Sequence, residues 1–181
     1  MVSLNALDFK IPDLALLRCW LSQLECPFFE CDSCQAFHLR HMQKHNCVSD
    51  VRIDLKDNII LFSVLVEIRP IALISLNNNL SHINTLSLTA KAFINIEEDD
   101  NLAQLVICQS ISIATGIIKQ QFNYFIQQST EQILMIISTI VENDMLFLNN
   151  YYEYKDDEEE DKEENEAKNS LLVSKLRPII H

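Results

Sequence analysis

The chain has 181 residues, enough for one domain with a real core and too few for two comfortable ones. Its formal net charge is −12, with no run of Lys and Arg, so an anionic surface argues against binding nucleic-acid phosphates. A single glycine, Gly116, leaves no GxGxxG, GxxxxGK[ST] or GxSxG motif, which removes the familiar nucleotide cradles and the nucleophile elbow.

The N-terminal MVSLNALDFKIPD lacks the basic and apolar regions of a signal peptide. No apolar run approaches the ~20 residues that cross a bilayer. A cytoplasmic location is therefore expected, without membrane contact, and the six Cys should stay reduced or bind metal. Pro12 and Asp13 open a first helix, in which Leu14, Leu17, Leu21 and Leu24 recur at helical spacing beside Trp20. Pro27 should stop it. Phe28 to Cys31 and Gln35 to Leu39 read as two short strands about Asp32-Ser33, and His41 to Ser49 as a polar loop.

Val51, Ile53 and Leu55 alternate with Arg52, Asp54 and Lys56, the period of a strand with one wet face. Asp57-Asn58 supplies a two-residue turn, since both residues tolerate positive φ. Ile59 to Val66 is nearly unbroken in its apolar character and predicts a strand covered on both faces. After Pro70, Leu73, Leu76, Leu80 and Ile83 mark a second helix that Asn77-Asn78-Asn79 should fray or kink. Alternation from Leu86 to Ile96 predicts a further strand, with a turn at Glu97–Asn101. On the returning strand Leu105, Ile107, Ile111 and Ile113 point one way, with Gln109 the polar exception.

The longest helix is expected over about residues 119–146, with a buried stripe of Phe122, Phe125, Ile126, Ile133, Ile136, Ile137 and Ile140. Leu134 and Met135 add a second stripe that should be partly exposed in a monomer and available to an oligomer interface. Residues 153–168 carry ten acids against three Lys, so residues 149–181 read as an acidic, disordered tail behind a 1–148 domain. The fold class is α+β, a mainly antiparallel sheet with covering helices.

The segments PFFECDSCQAFHLRHMQ (27–43), VRIDLKDNIILFSVLVEIRP (51–70), SLTAKAFINIEEDDNLAQLVICQS (87–110) and QFNYFIQQSTEQI (121–133) resemble the YbjN family of bacterial sensory transduction regulators. The resemblance spans about residues 13–146. It implies a fold similar to type III secretion chaperones, small acidic homodimers that bind extended peptide segments without ATP. It brings no catalytic residues to carry over, and the acidic tail departs from the family pattern.

One local pattern carries chemistry: Cys31-x2-Cys34 followed by His38-x2-His41, with Cys26, His45 and Cys47 nearby. Two Cys at the ends of a short turn can aim thiolates at one ion, and in an ideal hairpin Cys34, Ala36 and His38 share a face. Zinc suits that donor set, although the two-residue His spacing is short for a familiar finger. The competing reading has the Cys packed as small hydrophobes and the His in solvent. Cys108 or Cys31 as a nucleophile lacks any local activating context. Glu97, Glu98, Asp99 and Asp100 lack the spacing of a calcium loop. The reading adopted is a non-enzymatic regulatory or chaperone-like module that binds an unidentified protein or peptide segment, as a homodimer, with no catalytic, cofactor or metal residue. The alternatives are a zinc-stabilised adaptor using Cys31, Cys34, His38 and His41, and a cysteine-dependent enzyme.

Overall fold

The computed structural model describes residues 8–143 apart from 25, 32, 41, 43, 44, 46 and 97–102. The elements in chain order are α1 (Leu14–Gln23), β1 (Phe28–Glu30), β2 (Phe37–Leu39), β3 (Val48–Lys56), β4 (Ile59–Glu67), α2 (Leu73–Ile83), β5 (Lys91–Ile96), β6 (Ala103–Ser112) and α3 (Lys119–Glu142). The six strands form one open antiparallel sheet in the order β1-β2-β3-β4-β6-β5. The protein is α+β.

The centre is the β3–β4 hairpin. Asp57 and Asn58 both take positive φ, 52° and 60°, the pair of left-handed residues that a tight hairpin turn of matching twist requires. That turn sets the register from Lys56↔Ile59 back to Asp50↔Leu65, so Val51, Ile53, Ile60, Phe62, Val64 and Val66 face one side. All six are buried there. Leu105 and Ile107 of β6 join the same face by pairing with Val66 and Val64.

The helices close over this face. Leu17, Trp20 and Leu21 of α1, Leu76 and Ile83 of α2, and the seven expected α3 residues from Phe122 to Ile140 belong to one cluster with it. Trp20 and Phe122 meet with ring centroids 5.4 Å apart. Each such buried apolar side chain contributes about 1.5–3 kcal/mol of transfer free energy, so the cluster dominates stability. Asp13 caps α1 by accepting the Leu16 N–H at 2.7 Å. At the entry to α3, Gln121 Oε1 accepts the Ile118 N–H at 3.0 Å. Gly116 has φ +80°, and any Cβ there would lie 3.3 Å from the Lys10 backbone. This close approach lets Lys10 and Ile117 exchange two backbone hydrogen bonds of 3.0 and 2.8 Å.

Several expectations need correction. β4 is not covered on both faces: Ile59 is 41% exposed, Leu61 and Leu65 are half-buried, and both leucines stand outside the core cluster. Helix α1 stops at Gln23, before Pro27. The 41–49 segment is not simply polar, since Met42 and Cys47 are buried. The three Asn of α2 neither fray nor kink it; they sit exposed within a continuous helix. The expected strand over Leu86–Ile96 begins only at Lys91. Ser87 Oγ accepts the Thr89 and Ala90 N–H groups, and this local bonding competes with strand pairing and turns Leu88 out to 96% exposure. Helix α3 ends at Glu142; the remainder of the expected helix, the 97–101 turn and the acidic tail lie outside the described residues.

Candidate functional site

Strand β1 pairs with β2 through Phe28↔Leu39, Phe29↔His38 and Glu30↔Phe37. The chain between them folds back on itself: Cys31 N–H donates to Ala36 O at 3.2 Å and Gln35 N–H to Cys31 O at 2.9 Å. Gln35 takes φ +56°, reversing the backbone directly after Cys34. The turn and the strand together bring Cys31 Sγ, Cys34 Sγ and a His38 ring nitrogen within 4.8 Å of one another. Cys34 Sγ lies 3.2 Å from His38 Nε2. The predicted meeting of Cys31, Cys34 and His38 is therefore real in space. His41, the fourth predicted donor, lies outside the described residues.

His38 is held from three directions. Its Nδ1 lies 2.7 Å from Asp50 Oδ1, and the same oxygen accepts the Val51 N–H at 2.9 Å. A proton on Nδ1 donated to the carboxylate leaves the Nε2 lone pair directed towards Cys34. Phe29 stacks on the imidazole at 4.9 Å with planes 13° apart, and the Arg40 guanidinium stands 5.5 Å from the centre of the Phe29 ring. The His38 side chain keeps 12% exposure, so it is not a histidine left to solvent. Arg18 of α1 grips both Glu30 carboxylate oxygens of β1 through its Nε and Nη2, tying this hairpin to the helix layer.

The thiols divide by surroundings. A hydrogen bond with the Ser33 hydroxyl at 2.9 Å, helped by backbone and side-chain donors of Cys34 and Ser33, lowers the Cys31 pKa to about 6. Burial pushes Cys26, Cys47 and Cys108 the other way. Burial thus disfavours the Cys108 thiolate, which argues against Cys108 as a nucleophile. The reading of Cys as small hydrophobes holds for Cys47, which is 4% exposed, but not for the exposed Cys34.

A second feature lies at the far end of the sheet. Pairing of β5 with β6 begins at Lys91↔Cys108, so β6 runs on through Gln109–Ser112 beyond its neighbour. Beside this overhang, β6 and α3 enclose a cleft of about 500 Å³ lined by Gln109, Ile111, Ile118, Tyr124, Phe125 and Gln128 among others. Gln109 Oε1 is buried without a hydrogen-bond partner. Tyr124 is 65% exposed at the mouth, and Met135, further along α3, is 45% exposed. Part of the second α3 stripe is accordingly accessible, as the periodicity predicted. Gln109 was visible in the sequence as a polar residue in an inward set, but the cleft exists only because α3 packs beside β6.

The pattern of the YbjN family, described as "Putative bacterial sensory transduction regulator", matches residues 13–142. The chain belongs to the YbjN family. It is 53% identical over 127 residues to YbjN of Escherichia coli (strain K12), covering 70% of this chain and 80% of that protein. YbjN of Shigella flexneri matches to the same extent. The solved structure described as "Crystal structure of YbjN, a putative transcription regulator from E. coli" superposes with a TM-score of 0.75 at 48% identity, over 78% of this chain and 99% of that one. The family description is that of a regulator rather than an enzyme. Among the described residues no helix is long and apolar enough to cross a membrane.

Proposed function

We propose that this YbjN-family protein is a non-enzymatic, chaperone-like regulatory module of the cytoplasm that acts by holding an extended segment of a partner protein. The observation that carries the reading is the overhanging edge of β6 at Gln109–Ser112 beside the apolar cleft under Tyr124 and Phe125. An unpaired strand edge offers backbone donors and acceptors to an incoming strand, and a neighbouring pocket selects its alternate side chains. Gln109, with its buried Oε1 unpartnered, lines the floor of that cleft. The partly exposed Met135 stripe of α3 is the corresponding surface for a homodimer.

A photo-crosslinking residue at position 124, compared with one at position 71, tests the reading in cells. Ile71 is 87% exposed and follows the end of β4 that pairs with Gln104, whereas the overhang lies at the end that pairs with Ile59. Discrete adducts from position 124 and none from 71 support segment binding at the cleft. Equal labelling from both positions, or from neither, refutes it. Sedimentation of the purified chain with and without Met135→Glu checks the dimer: a dimer that dissociates in the variant is expected.

A further inference from the structure

We infer that the β1–β2 turn is a zinc site in which Cys31, Cys34 and His38 are the protein ligands and Asp50 is the carboxylate that orients His38. Three donor atoms within 4.8 Å of one another are already near the separations that a common ion imposes. Zn–S and Zn–N bonds of about 2.3 and 2.0–2.1 Å put tetrahedral donors roughly 3.5–3.8 Å apart. The Cys34 Sγ to His38 Nε2 distance of 3.2 Å needs only a small opening to admit the ion. Two thiolates and one imidazole form a soft-to-borderline set that favours zinc over magnesium or calcium.

The second observation is the support behind the ligand. Metal-bound histidines characteristically donate their other ring N–H to a carboxylate, which fixes the tautomer and the ring orientation. Here Asp50 Oδ1 stands 2.7 Å from His38 Nδ1 and is itself pinned by the Val51 N–H. The stacked Phe29 ring restrains the imidazole plane. The turn geometry serves the same end: Gln35 in the left-handed region and the Gln35 N–H to Cys31 O bond bring the two thiols to one side of the chain. Among the described residues three donors converge, and the fourth tetrahedral position is open to a further ligand. The site lies on the β1–β2 side of the sheet, at the opposite end of the strand order from the β5–β6 edge, and does not depend on the cleft reading.

The test uses the full-length chain, stripped of metal and kept reduced, titrated with zinc against a chromogenic chelator. One zinc per chain is expected. Cys31→Ser and Cys34→Ser should each weaken binding at least ~100-fold, and Asp50→Ala by ~10–100-fold, the range seen when such supporting carboxylates are lost. Cys108→Ser should leave the affinity unchanged. Cobalt substitution should give tetrahedral visible absorption with a thiolate charge-transfer band that halves in either cysteine variant. A readout free of any mutation is alkylation of the native protein, in which zinc should protect Cys31 and Cys34 but not the exposed Cys19. The inference fails if no zinc binds, if Cys108→Ser weakens binding as much as Cys31→Ser, or if zinc spares Cys19 equally. It also fails if Cys31 and Cys34 form a disulfide in a cytosol-like glutathione buffer and the chain takes up no metal.

Discussion

The two hairpins of this protein divide its labour. The β3–β4 hairpin turns on two residues, runs through eight paired positions and points Val51, Ile53, Ile60, Phe62 and Val64 into the common core. The β1–β2 hairpin has three paired positions and a longer turn, and it carries the exposed Cys34 beside the half-buried Cys31 and His38. The first is built from propensity and burial; the second shares the core through Phe37 and Leu39 and adds hydrogen bonds to Asp50, Ser33 and Arg18. Phe37 and Leu39 anchor β2 in that core, while the turn before them is held by hydrogen bonds and carries the two thiols.

Mutations of graded severity can break this contrast. Phe62→Ala should have the largest effect, about 3–5 kcal/mol by chemical denaturation, because the ring is 0% exposed at the middle of the core. A loss below about 1 kcal/mol would mean that the central hairpin does not anchor stability. Gly116→Ala should cost about 2 kcal/mol, since it forces a left-handed φ and sets a methyl 3.3 Å from the Lys10 backbone. Asn58→Val should cost about 1 kcal/mol, because a β-branched residue resists the φ of 60° that the tight turn demands. Cys31→Ser, measured with chelator present at pH 5, where the thiolate contributes nothing, should have the smallest effect, that of a change outside the core. If it rivals Phe62→Ala, the two hairpins are not separate in role.

Thiol titration sharpens the same contrast. Metal-free Cys31 should alkylate with a midpoint near pH 6, whereas the thiols of Cys26, Cys47 and Cys108 should react above their ordinary range. The sign for stability follows from the lowered value. The thiolate's contribution is complete above the unfolded value of 9.0 and is lost as the pH falls through about 6. A Cys31 midpoint near 9 would show that the Ser33 and Cys34 donors do not hold its thiolate.

Legibility followed the range of the interactions. Helical stripes and the Asp57-Asn58 turn were readable because they depend on neighbours within a few residues, and Leu17, Leu76 and Ile133 are buried as their spacing required. The Leu86–Ile96 alternation misled because Ser87 bonds to the backbone two and three residues on, a local alternative that periodicity does not register. At the candidate site, Cys31, Cys34 and His38 were legible as a cluster, but Asp50 was not. It lies twelve residues from His38 and reaches it only because β2 pairs with β3 through His38↔Arg52.

By itself the sequence determined the α+β class, the buried stripes, the central turn and the positions of two thiols and an imidazole, all properties of side-chain size, polarity and local backbone preference. Tertiary structure alone decided that the helices cover one face of the sheet, that β6 overhangs β5 beside a cleft, and that Asp50 stands behind His38. Those outcomes depend on which strands pair and at what register. Many sequence-distant contacts settle that choice together, and no local window contains it.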